Sequence, residues 1–149
     1  MAKRRWSGIG NNAMDIDQFL IELREWAARQ EEITGVLLVG SHARGQARED
    51  SDVDVVLLAR APERYLRDRT WVGRFGAVAR MEEEDWGRVT SLRVWYAGGM
   101  EVEFSWTDPG WAALPPDLGT RRVVSDGARI LFDREGALAA LLAAVPPGS

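Results

Sequence analysis

The sequence predicts an α/β (α+β) fold, a single domain built on a mixed central β-sheet with helices packed on it. Three observations predict it. The 149 residues match the size of one compact domain. Leu, Ile, Val and Phe make up 36 of them, enough for a core. Helical and strand periodicities alternate along the chain in the order helix, strand, strand, helix, hairpin, helices.

Residues 1–13 are basic, Gly- and Asn-rich and aperiodic, which marks a loose tail ahead of a domain spanning 14–149. From Met14 to Glu31 the apolar residues Ile16, Phe19, Leu20, Leu23, Trp26 and Ala27 recur every three or four positions, the stripe of an amphipathic helix. Asp15 or Asp17 can cap its start, and Thr34-Gly35 ends it. Residues 35–40 are a short apolar strand between glycines, and Ser41 to Ser51 is small and polar, a loop or broken helical turn. Val53 to Leu58 becomes wholly apolar, as a central strand buried on both faces does. Pro62 opens a short helix over 61–69, whereas Trp71 to Arg80 fits neither period. Arg88–Tyr96 and Met100–Trp106 flank Ala97-Gly98-Gly99, a hairpin signal. A short turn from Asp108-Pro109, a helix over 117–125, a strand over 129–132 and an Ala/Leu-rich helix over 134–145 complete the chain.

Composition excludes several function classes. There is no cysteine, so disulfide frameworks, thiolate metal sites and cysteine nucleophiles are absent. The net charge of −4 argues against a duplex-binding protein, which neutralises phosphates with basic residues. No apolar run reaches the roughly 20 residues of a membrane span, and the basic start lacks the apolar segment of a secretory signal, so a cytoplasmic location is expected. Of the 19 basic residues 18 are arginine, which reads first as base-composition bias.

The chemistry concentrates in residues 39–56. A strand ends at Gly40-Ser41, where glycine permits a sharp turn and close approach to a ligand. The amides beyond it can cradle an anion, with the Ser41 hydroxyl as a further donor and Arg44 within reach of phosphate or of Glu49 and Asp50. Asp52 and Asp54 stand at i and i+2 on the next strand and so share a face. Neighbouring carboxylates repel and raise the cluster's proton affinity unless a cation sits between them, and Mg²⁺ accepts such carboxylates together with phosphate oxygens. On the strand 100–106, Glu101 and Glu103 alternate with Met100, Val102 and Phe104. Glu103, the deeper of the two, is preferred as third carboxylate over Glu101 beside the hairpin tip. Carboxylates converging from two adjacent strands are the layout for two metal ions that clamp a phosphoryl or nucleotidyl transfer.

Gly40-Ser41, Ala43-Arg44-Gly45, Ser51-Asp52-Val53-Asp54 and hydrophobic-Glu103-hydrophobic together resemble the nucleotidyltransferase superfamily of DNA polymerase β. Among its members the chain is similar to the small, minimal nucleotidyltransferases related to aminoglycoside adenylyltransferases. The resemblance covers residues 35–106, and the third acidic position, more often Asp in the family, is Glu here. It implies two Mg²⁺ ions and a nucleoside triphosphate, ATP above all, as donor. Gly40 and Ser41 would hold its phosphates, Asp52 and Asp54 would ligate both metals, and Glu103 would ligate the metal nearest an acceptor hydroxyl. It also implies an acceptor that is a small molecule or a protein. The larger relatives carry a second helical domain that binds the acceptor, and the residues after Trp106 are too few for one. The acceptor side is therefore open, or closed by a partner protein or a second copy. An antitoxin-like binding module of the same fold, acting with a partner protein, is the alternative to an enzyme.

Several other features have plainer readings. His42, the single histidine, is an exposed loop residue, and Met81–Asp85 is a solvated turn or helix start. Trp71, Trp95 or Trp106 could stack on a base, and Arg67, Arg69, Arg74 and Arg80 could rim a triphosphate.

Overall fold

Six strands form one mixed sheet, described by a computed structural model that covers residues 15–48 and 51–148. The proposed tail, residues 1–13, lies outside the described residues, as do Glu49 and Asp50. The strands are β1 (Ile33–Val39), β2 (Val53–Ala59), β3 (Val78–Asp85), β4 (Thr90–Tyr96), β5 (Glu101–Thr107) and β6 (Ala128–Asp133). Their order is β3-β4-β5-β2-β1-β6, and β2 and β5 run parallel while every other neighbouring pair is antiparallel. The expected mixed sheet with helices packed on it is what the chain forms. Among the described residues no helix is long and apolar enough to cross a membrane.

Alternation assigns the two faces. Val53, Val55 and Leu57 of β2, Leu92 and Val94 of β4, and Val102, Phe104 and Trp106 of β5 point into one core. Helix α1 (Ile16–Ala28) covers it with Phe19, Leu23 and Trp26, together with the 3-10 turn Thr70–Phe75. The Asp15 carboxylate caps α1 by accepting from the Gln18 amide at 2.7 Å. Aromatic rings fill this side. Tyr65 stacks on Trp106 with centroids 4.4 Å apart, and Trp71 meets Phe104 edge-on at 4.9 Å. Tyr65 belongs to α3 (Glu63–Arg67), which is entered through Pro62. On the opposite face Leu37, Val56 and Leu58 meet Trp111, Val124, Leu138 and Leu141. These come from a 3-10 turn (Pro109–Ala112), α4 (Leu118–Ser125) and α5 (Ala137–Ala144).

Two readings of the sequence are corrected. Thr34-Gly35 does not end α1, which stops at Ala28, but lies inside β1 at a register shift. Gly35 is there because α5 packs on it: a Cβ would sit 2.7 Å from Leu138 Cδ1. The acidic run Met81–Asp85 is the end of edge strand β3, not a turn or helix start. It shows no apolar alternation because all eight residues of β3 are exposed, so neither of its faces contributes to a core. The ambiguous stretch before it splits into the 3-10 turn and the start of β3.

Candidate active site

The second face of the sheet turns polar at one end. Asp54 precedes Val56 on that face of β2, Glu103 and Ser105 occupy it on β5, and Ser91 and Arg93 on β4. Register sets the neighbours: Asp54 pairs with Glu103 across the parallel strands, and Glu103 with Arg93 across the hairpin. One carboxylate oxygen each from Asp52, Asp54 and Glu103 lie within 4.8 Å of one another. Glu101, the rival third carboxylate, stands opposite Trp95 and is engaged by Arg93.

Gly40 meets this cluster from the side. Strand β1 pairs Val39 with Asp54 and turns at once into the short helix α2 (Gly40–Arg44). The turn places Gly40 at φ +75, and a Cβ there would lie 2.5 Å from Asp54 Oδ2. The backbone angle favours glycine, and a side chain there would have to displace the Asp54 carboxylate. Ser41 is half-buried in the first turn of α2. Arg44 donates its Nε to Gln46 Oε1 at 3.1 Å, and its stem lies against Gly127. His42, expected from the sequence as an exposed loop residue, is instead half-buried in α2, with its Nε2 3.4 Å from the Ser51 carbonyl oxygen.

The electrostatics follow from the crowding. Burial, then the charges of Asp52 and Glu103, push the Asp54 carboxyl up to about 7, and its protonated form also hydrogen-bonds to Glu103, while Arg93 pulls it partly back. The rise expected for a cluster without metal is thus clear at Asp54. Arg93 binds three carboxylates: Nη1 donates to Asp52 Oδ2 at 3.0 Å and Glu101 Oε2 at 2.5 Å, and Nη2 donates to Glu103 Oε1 at 2.8 Å. The hydrogen bond to Glu101 contributes most to holding the guanidinium proton more firmly than usual.

The raised proton affinity gives a pH dependence. Between the unfolded value of 3.8 and about 7, native Asp54 keeps a proton that the unfolded chain has lost, so stability falls as pH rises through this window. A dry site would lose roughly 4 kcal/mol over three pK units. This carboxyl is partly solvated, so a loss of about 2 kcal/mol is expected. Urea midpoints in EDTA followed from pH 4 to pH 8 measure it.

A pocket of about 580 Å³ opens beside Asp54 and Glu103, within the range of small-molecule sites. Gly40, Arg44, Trp86, Arg88 and Trp111 line it, together with Ser91 and Ser105, whose hydroxyls are 2.9 Å apart. Residues after Trp106 therefore wall part of the pocket, through Trp111, Thr120 and Val123. Trp86, 64% exposed at the tip of the β3-β4 hairpin, and Trp111 were not among the tryptophans the sequence suggested for stacking. Trp71 and Trp106 are buried in the opposite core, and Trp95 lies under the Arg80 guanidinium. Arg69 and Arg80 pair with Glu83 and Glu82 of the edge strand, so the supposed arginine rim does not line the pocket. Arg93 also escaped the sequence reading, although counting back from the glycine hairpin places it opposite Glu103.

A sheet of this kind, with a glycine turn against paired carboxylates, is the nucleotidyltransferase fold. The profile of the streptomycin adenylyltransferase family matches residues 15–100, more than half of the chain, and the chain belongs to that family. The match ends before β5, so Glu103 lies beyond it. Among solved structures the chain is similar to an aminoglycoside 6-adenyltransferase from Bacillus subtilis, with 16% identity and a TM-score of 0.55. The match covers 66% of this chain and 37% of that one. It also matches a CCA-adding enzyme in complex with CTP at 17% identity and a TM-score of 0.46, over 86% of this chain and 35% of that one. The chain thus spans little more than a third of the length of these two proteins. Among curated proteins, no sequence matches it.

Proposed function

We propose that the protein is a Mg²⁺-dependent nucleotidyltransferase that moves AMP from ATP to a hydroxyl of a small molecule or a protein and releases pyrophosphate. The observation that carries this reading is the convergence of Asp52, Asp54 and Glu103 from two strands, against a turn whose positive φ and close approach to Asp54 favour glycine. The donor set suits Mg²⁺: three carboxylates gathered within one ion's reach, one of them pushed toward protonation by burial and then by the charges of the other two, with open space beside it for phosphate oxygens. Bound there, the metal would neutralise triphosphate charge and lower the acceptor hydroxyl's pKa.

The chain's own residues supply the positioning. Gly40 and Arg44 line the pocket, where the triphosphate would lie, and Ser41 follows Gly40 in the first turn of α2. Arg44 offers a guanidinium there once it leaves Gln46. The acceptor oxygen attacks the α-phosphorus, the bond to the β-phosphate oxygen breaks, and the acceptor's proton passes to Glu103. Catalysis is then chiefly placement and charge compensation.

A second reading, a binding module acting with a partner protein, is favoured by one feature. Leu114 and Leu118, 51% and 69% exposed, flank the pocket-lining Asp117. Incubation with labelled ATP, CTP, GTP and UTP plus Mg²⁺ separates the two. Pyrophosphate release with label transfer, strongest for ATP, supports the enzyme. Absence of turnover together with co-purification of a second protein supports the module, and neither heat nor label with any nucleotide defeats the enzyme reading.

A further inference from the structure

Arg93 is the one cation that contacts the carboxylate cluster among the described residues. It stands in a row across four strands: Glu82 of β3, Arg93 of β4, Glu103 of β5 and Asp54 of β2 occupy successive register positions. Its fork takes one oxygen from Asp52 and one from Glu103, two of the three residues grouped for a metal, while Nη1 also holds Glu101. The guanidinium is 28% exposed at its side chain, so much of its charge acts through protein rather than water.

We propose that Arg93 is a resident counter-cation that competes with divalent metal for Asp52 and Glu103, and so sets how tightly the site binds it. This rests on the metal-dependent reading above. Without metal, the guanidinium offsets repulsion among four carboxylates gathered at one end of the sheet. With metal, a fixed positive charge a few ångströms away opposes the incoming dication. At the partly screened dielectric of such a site this repulsion weakens binding by roughly tenfold to a hundredfold. Glu101 gives the arrangement its second position. It lies outside the metal group, and its 2.5 Å bond can retain the guanidinium after Asp52 and Glu103 have turned to the metal. Arg93 is thus a positioning residue, and Glu101 is its anchor. An ordinary supporting residue would act in the opposite sense, since removing such a partner weakens metal binding by about 10–100-fold.

The test measures Mn²⁺ binding by calorimetry, and by the free-ion electron paramagnetic resonance signal, for wild type, Arg93→Met and Arg93→Lys. Arg93→Met is expected to bind Mn²⁺ at least about tenfold more tightly. Arg93→Lys, which keeps a charge but loses the fork, should gain a few-fold. The melting temperature of Arg93→Met should fall below wild type in EDTA, with the gap narrowing as Mn²⁺ is added. A merely structural role would lower stability and affinity together. Equal or weaker Mn²⁺ binding by Arg93→Met overturns the proposal while leaving the metal site standing. If that variant does not fold, the same outcome in Arg93→Lys overturns it. Failure of wild type and both variants to bind Mn²⁺ defeats this proposal and the metal-dependent reading together.

Discussion

Asp54→Asn is expected to reduce nucleotidyl transfer by roughly 10³-fold or more, because the neutral amide removes a ligand from the group that would compensate charge at the reacting phosphate. The same substitution should make the metal-free protein more stable at pH 8, by on the order of 2 kcal/mol. The reason is the crowding around this carboxyl. Burial and the charges of Asp52 and Glu103 raise it to about 7, so its ionisation above that pH works against the fold. An amide of the same shape keeps the packing and drops the charge. The pH slope of the urea midpoint in EDTA should also flatten between pH 5 and pH 8. Loss of activity together with gain of stability is the signature of a residue kept for chemistry. An active Asp54→Asn protein would contradict the site assignment.

Gly40→Ala is the second large effect. Its backbone sits at φ +75, where an L side chain is strained, and its Cβ would come 2.5 Å from Asp54 Oδ2. Strain and displacement together should cost about 2–4 kcal/mol and push the Asp54 carboxyl out of register with Glu103, so that Mn²⁺ affinity and activity fall too. Gly45→Ala provides the control. Gly45 also has a positive φ, of +70, but its Cβ would meet nothing within 4 Å. That variant should lose about 1–2 kcal/mol from backbone strain alone and retain metal binding. Equal Mn²⁺ affinity in the two variants would show that the approach to Asp54 has no functional weight.

Much of this site is legible in the sequence because it obeys strand periodicity. Asp52 and Asp54 share a face through their i, i+2 spacing, and Val102 and Phe104 around Glu103 fix which way the glutamate points. The glycine hairpin sets β4 against β5, and register places Glu103 opposite Asp54 and Glu101 opposite Trp95. What escapes is tertiary. Trp86 and Trp111 reach the pocket from a hairpin tip and from a turn after β5, and no local pattern joins them. Thr34-Gly35 looks like a helix stop because glycine usually is one, yet here packing by Leu138 decides the position. Arg93 was available to a register count but hidden among many arginines.

The edge strand β3 has a consequence for assembly. A sheet margin with free backbone groups is a template on which further chains can add and polymerise. Here that margin carries Arg80, Glu82, Glu83, Glu84 and Asp85. A second copy laid alongside in antiparallel fashion would bring acidic runs toward basic ones only near Arg80, and a parallel one would set like charges together. The sheet therefore resists growing past β3 into fibrils, and replacing its glutamates with valine would remove that protection.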